Sequence, residues 1–114
     1  MESKSALIAQ QNDTFRRTLG MGDIPGNVVM TTGIAALPQE QQEVVIGKVI
    51  GFDDFTNDND PYGEHDFGCV DIEGVGGVYF KIDYYEPNLE RGSEDPTDLT
   101  KTVRVMTIML TSEY

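Results

Sequence analysis

All of the net charge of this chain lies in one stretch, and the same stretch holds most of its aromatic rings. Residues 53–98 contain fourteen carboxylates: Asp53, Asp54, Asp58, Asp60, Glu64, Asp66, Asp71, Glu73, Asp83, Glu86, Glu90, Glu94, Asp95 and Asp98. Only Lys81 and Arg91 oppose them, which leaves −12 in 46 residues. The other 68 residues carry six acids and six bases and are neutral. Disordered acidic tails are poor in aromatics. Here Phe52, Phe55, Tyr62, Phe67, Tyr79, Phe80, Tyr84 and Tyr85 border or punctuate the acids, so the stretch is expected to fold. Its field repels DNA, RNA and anionic membranes and attracts cations and basic protein surfaces.

At 114 residues the chain is expected to form one domain, 1–114, with a small core. Cys69 is the only cysteine, so no internal disulfide can form, which suits a reducing cytoplasm. The first residues, MESKSALIAQQ, lack the basic and long apolar segments of a secretion signal. No apolar run approaches membrane-spanning length. A cytoplasmic protein that contacts neither membrane nor nucleic acid directly is the expectation.

Ile8, Gln11, Phe15 and Leu19 give one apolar edge and predict a helix over 5–19. Ser3 or Ser5 is placed to cap it, and Arg16 and Arg17 suit its C-terminal dipole. Gly20 ends it. Residues 28–32 read as a short strand. The run after Pro38 fits a helix through Leu37, Val45, Val49 and Phe52, whereas Gly47, Gly51 and the Val/Ile content suit a strand equally. We assign a helix from 38 to about 50. Residues 53–66 read as a polar loop. Residues 67–72 and 78–85 alternate and flank the glycine-rich 73–77, which predicts a β-hairpin. Val78, Phe80, Ile82 and Tyr84 share one face of it. Residues 87–98 form a second polar loop, and 102–110 is apolar on both faces, as a central strand is. The expected fold is α+β: a small, mostly antiparallel sheet with two helices packed on one face.

Several arrangements suggest chemistry and stop short of a motif. A twelve-residue calcium loop started at Asp58 places Asp60 third and Gly63 sixth, but Tyr62 falls fifth and Cys69 twelfth, where the bidentate ligand belongs. A loop whose Asp and Asn side chains bond their own backbone is the simpler reading. His65, the only histidine, sits between Glu64 and Asp66 and could serve as a carboxylate-oriented base. A lone His in a polar loop is more often a structural hydrogen-bonding residue. No second His or Cys lies at ligand spacing. Cys69 is expected to be buried and inert. No Ser or Cys occupies a nucleophile motif. The 74–77 glycines lack the Lys-Ser/Thr of a phosphate loop. No catalytic residue, metal or cofactor is therefore assigned.

Segments spread through the chain resemble a bacterial family of unknown function. They are 12–17 (NDTFRR), 32–38 (TGIAALP), 52–55 (FDDF), 58–68 (DNDPYGEHDFG), 81–85 (KIDYY) and 107–110 (TIML). The resemblance implies one domain and a helix from Pro38 toward Phe52, and brings no activity or ligand. The family's association with chromosomes, plasmids and phage-like elements implies conflict between mobile DNA and its host.

The charge and the resemblance lead to two functional expectations. The first is a DNA-mimicking inhibitor of a bacterial nucleic-acid-binding defence complex, of the anti-CRISPR or anti-restriction kind. Its partner would be a basic nucleic-acid-binding protein. Carboxylates two apart on a strand are ~6.6–6.8 Å apart, close to two steps of ~3.4 Å along one DNA strand. Asp71 and Glu73 carry that spacing. The expected partner-binding residues are Asp53, Asp54, Asp71, Glu73, Glu86, Glu90, Glu94, Asp95 and Asp98. The alternative is a metal-dependent or acid–base enzyme centred on Asp58, Asp60, Glu64, His65 and Asp66.

Overall fold

In the computed structural model, which describes residues 3–114, α1 (Lys4–Thr18) begins where Ser3 offers its hydroxyl to the Ala6 N–H at 3.1 Å. It ends at Leu19, which turns left-handed, and the Gly20 N–H bonds back to the Phe15 carbonyl. This is a left-handed helix stop, with Gly20 also at positive φ. Ile8, Ala9, Asn12, Phe15 and Arg16 form the buried side of α1. Arg16 and Arg17 occupy the last turn as expected, and Arg16 turns into the core.

The chain continues through β1 (Gly26–Met30), the short helix α2 (Thr32–Ala35), α3 (Gln39–Ile50), β2 (Phe67–Ile72), β3 (Gly76–Tyr85) and β4 (Val103–Leu110). A 3₁₀ turn over Thr111–Glu113 follows. Strand order is β1-β4-β3-β2, with β1 parallel to β4 and the other two pairings antiparallel. The sheet is mixed, and the fold is α+β. Strand β4 is interior, as its two-sided apolarity required. The hairpin of β2 and β3 lies beside it.

Two strand boundaries and one helix differ from expectation by more than a residue. The first strand spans Gly26–Met30 rather than 28–32, because Thr31 holds the N-cap position of α2 and Thr32 already belongs to it. The helix α2 was not anticipated; four residues show no period. Strand β3 starts at Gly76 rather than Val78, with Ile72 paired to Gly76 across a tight turn. The ambiguous segment is helical. Gly47 faces open space and Gly51 is the C-cap, so neither glycine interrupts the packed face of Val45 and Val49.

Val78, Phe80 and Ile82 of β3 and Met106 and Ile108 of β4 share the inner face, where they meet Phe15, Ile34, Val45 and Val49. Gly26 shows how closely α1 approaches β1: a Cβ there would overlap both the Arg104 carbonyl and the Phe15 ring. The carbonyl cannot yield without disturbing the β1–β4 pairing, so Gly26→Ala is expected to destabilise by about 3 kcal/mol. A denaturation midpoint unchanged from native would contradict that packing. No helix among the described residues is long and apolar enough to cross a membrane.

Candidate functional site

The two acidic loops close over the same end of the sheet. Loop 51–66 leads into β2, whose first residue pairs with Lys81, and the Ile82 N–H bonds to the Asp66 carbonyl. Loop 86–102 leaves the end of β3 and returns at the start of β4. Eleven of the fourteen carboxylates therefore gather at this end. The exceptions are Asp71 and Glu73 at the hairpin tip and Asp83 on the outward face of β3. The tip lies roughly 30 Å away, nine residues along β3 at ~3.3 Å each. Strand β2 stops at Ile72, so Glu73 belongs to the turn and does not extend a straight row with Asp71. The two-step spacing argued from sequence is not realised there.

Helix α1 holds the first loop in place through a polar cluster. The Arg16 side chain, fully buried, donates to the Val49 carbonyl at 3.0 Å and the Phe52 carbonyl at 2.9 Å, tying down the end of α3. It also pairs with Asp13 at 3.0 Å. Burial lowers its pKa, and Asp13 works against that. Asp13 in turn meets His65 Nδ1 at 3.0 Å, and the imidazole stacks flat on Phe55, 4.0 Å between centroids. His65 Nε2 is 3.8 Å from Asp60 Oδ2. Asp60 is buried and accepts the Glu64 and His65 N–H groups, supporting the left-handed backbone of His65 at φ 58°.

A second, adjoining network uses Arg104. This residue is fully buried on the inner face of β4 and stands over the Tyr84 ring. It donates to Asn12 Oδ1 at 2.6 Å, Gln11 Oε1 at 3.0 Å and the Pro96 carbonyl at 3.2 Å. Asn12 donates to Tyr84 Oη and to the Glu64 carbonyl, and Tyr84 donates to Glu64 Oε1 at 3.0 Å. Gln11 Nε2 reaches the Thr97 carbonyl, so α1 also grips the second loop. Burial raises the Tyr84 hydroxyl far above its ordinary value, and burial followed by Glu64 raises Asp66. Tyr84 stays a neutral donor.

The residues expected to bind a partner divide by role. Asp53, Asp54, Glu90 and Glu94 project into solvent. Glu86 is half-buried and, with Glu94, Pro87, Asn88, Thr100 and Lys101, lines a shallow groove of about 400 Å³. Asp95 and Asp98 instead shape their own loop. Asp95 accepts from Thr97 N–H and Oγ1 and pairs with Lys4 at 3.2 Å. Asp98 does the same with Thr100. These bonds hold both carboxyls below the usual range, led in each case by the threonine hydroxyl.

Among the described residues, no three His, Cys, Asp or Glu side chains are arranged to hold a metal ion. Cys69 is exposed on the outward side of β2, not buried as expected, because its side of the strand carries no covering helix. Partial desolvation, reinforced by Asp71, raises its thiol pKa, which disfavours the thiolate. Asn12, Arg16, Tyr84 and Arg104 were missed as a set. The signal for Arg104 lies in β4: a charge at the inward parity of Met106 and Ile108 requires a buried partner. Asn12 likewise falls on the apolar stripe of α1, four residues after Ile8.

The protein-family comparison matches residues 30–113 to a family described as a protein of unknown function, DUF3768. The chain belongs to that family. The DUF3768 match contains α2, α3, the whole hairpin, both acidic loops and β4, while β1 contributes only Met30. Helix α1, with Asn12, Asp13 and Arg16, precedes it. No curated protein and no solved structure matches the chain.

Proposed function

We propose that the protein is an acidic binding module that occupies the basic groove of a bacterial nucleic-acid-binding defence complex, of the anti-CRISPR or anti-restriction kind. One observation supports the reading: eleven carboxylates on two braced loops share one end of the sheet, and Asp53, Asp54, Asp58, Glu90 and Glu94 among them are exposed. A DNA-binding groove is lined with Lys and Arg and takes up phosphates spaced along a rod. An ordered set of carboxylates competes for the same cations at a lower entropic cost than a flexible acidic tail. The Glu86–Glu94 groove suits one basic side chain of the partner. The cluster around Arg16 and Arg104 acts as a brace, and the surface carboxylates meet the partner. Neither Asp71 nor Glu73 belongs to that surface.

The reading predicts that Asp53, Asp54, Asp58, Glu86, Glu90 and Glu94, replaced together by Asn or Gln, abolish inhibition while the fold persists. Single replacements at this exposed rim should change little. Native protein expressed in a host with an active restriction or CRISPR system should raise transformation by a targeted plasmid, and the neutralised protein should not. Equal protection by both proteins would contradict the proposal.

A second reading is favoured by the Asp13–His65 contact. Asp13 fixes Nδ1 of a partly exposed imidazole, and Nε2, 3.8 Å from the Asp60 carboxylate, is the ring nitrogen that would act as a general base. His65→Gln, with loop 51–66 first shown to be closed by amide hydrogen exchange, separates the two readings: it removes any turnover, whereas salt-sensitive partner binding through Glu86, Glu90 and Glu94 persists.

A further inference from the structure

Strand β4 is apolar on both faces, yet all three helices put their buried residues into the core on one of them. On the other face, strand pairing sets Phe67 of β2 and Tyr79 of β3, both half-buried beside the Tyr114 ring, next to the half-buried Val103 and Val105 of β4, with Val29 of β1 at the margin; Met109, also outward, is already buried. Val29 is 45% exposed, and Tyr114, whose ring lies 5.4 Å from Tyr79, is 75% exposed. The only charged side chains on these strands' outward positions are Asp71, Lys81 and Asp83, a net of −1 in a chain of −12.

We propose that this open face is where two copies of the chain meet, sheet against sheet. A basic partner suited to the acidic end has no complement on a nearly neutral apolar face, whereas the face complements itself. Lys81 and Asp83 are neighbours on β3, 3.4 Å apart, and both side chains remain accessible. A two-fold axis lying between the sheets and crossing β3 at Ile82 sets Lys81 of each copy over Asp83 of the other. An isologous interface requires this reciprocity. The same axis makes the two β3 strands antiparallel, so each acidic end lies over the partner's hairpin tip and the two acidic ends stay apart. Four strands of five to ten residues at ~4.8 Å spacing and ~3.3 Å rise give roughly 450 Å² of projected face. Two such faces approach the ~1,000 Å² at which specific interfaces begin. The dimer is therefore expected to dissociate on dilution.

Sedimentation equilibrium of the full chain from roughly 1 to 500 µM tests this, the range in which an interface of that size dissociates. The mass should climb from 12.6 kDa toward twice that value with concentration. Added salt should strengthen association, because it screens repulsion between two −12 chains. Partner binding by the acidic end weakens with salt, so the two surfaces are distinguishable. Val105→Glu should leave a monomer with a native circular dichroism spectrum. Lys81→Asp should weaken the dimer roughly tenfold or more, and Lys81→Asp with Asp83→Lys should restore it. If Val105→Glu fails to fold, the exchange of Lys81 and Asp83 decides by itself. A monomer across the whole range, a dimer indifferent to these changes, or a double exchange that does not restore association would overturn the proposal.

Discussion

Replacing Phe15 with alanine is expected to lower the free energy of unfolding by about 3–5 kcal/mol. The ring is fully buried, and both the inner face of the sheet and the Gly26 backbone pack on it. Because Gly26 has no side chain, the strand comes close to the ring and cannot easily collapse into the cavity left by truncation. Chemical denaturation checks the value. A loss under about 1 kcal/mol would mean that α1 is peripheral to the core.

Asp13→Ala is expected to cost about 3 kcal/mol or more, although Asp13 itself is only half-buried. It leaves the Arg16 guanidinium buried with backbone carbonyls alone, and it frees His65 from α1. Arg17, next along the helix and exposed, provides the control: Arg17→Ala should change stability by less than about 0.5 kcal/mol. Amide hydrogen exchange should show the extra opening of Asp13→Ala concentrated in loop 51–66. Similar costs for the two substitutions would remove the brace from the account.

Elements whose side chains repeat with a clear period were legible in the sequence. The alternation of Val78, Phe80, Ile82 and Tyr84 put these four residues on one face, and the structure puts them there. The apolar edge of α1 located Ile8 and Phe15 in the core. The segment after Pro38 had two readings because glycines weaken a helical pattern. Which of its sides packs decided the matter, and that depends on the sheet. The first strand was misplaced by two residues because Thr31 and Thr32, β-branched and thus strand-like, instead occupy the N-cap position and first position of α2. Cys69 was misjudged because alternation tells which residues share a face but not which face the helices cover. The brace was illegible for a related reason. Asn12, Glu64, Tyr84, Pro96 and Arg104 are far apart in the chain, and their hydrogen bonds exist only once α1 crosses both loops. The segregation of charge was plain in the sequence. Its gathering at one end, without Asp71 and Glu73, follows from the direction of the strands.

The most direct test is competition for a basic DNA-binding groove by the native protein and by the variant neutralised at Asp53, Asp54, Asp58, Glu86, Glu90 and Glu94. Each is first shown to be folded by circular dichroism. The target is a defence complex captured on the immobilised native protein and assayed for binding to its own DNA duplex. The native protein should displace the duplex, less effectively as salt rises, because the attraction is long-range and screened. The neutralised protein should fail at every salt concentration. Equal displacement by the two proteins would contradict a function carried by the acidic end of the sheet.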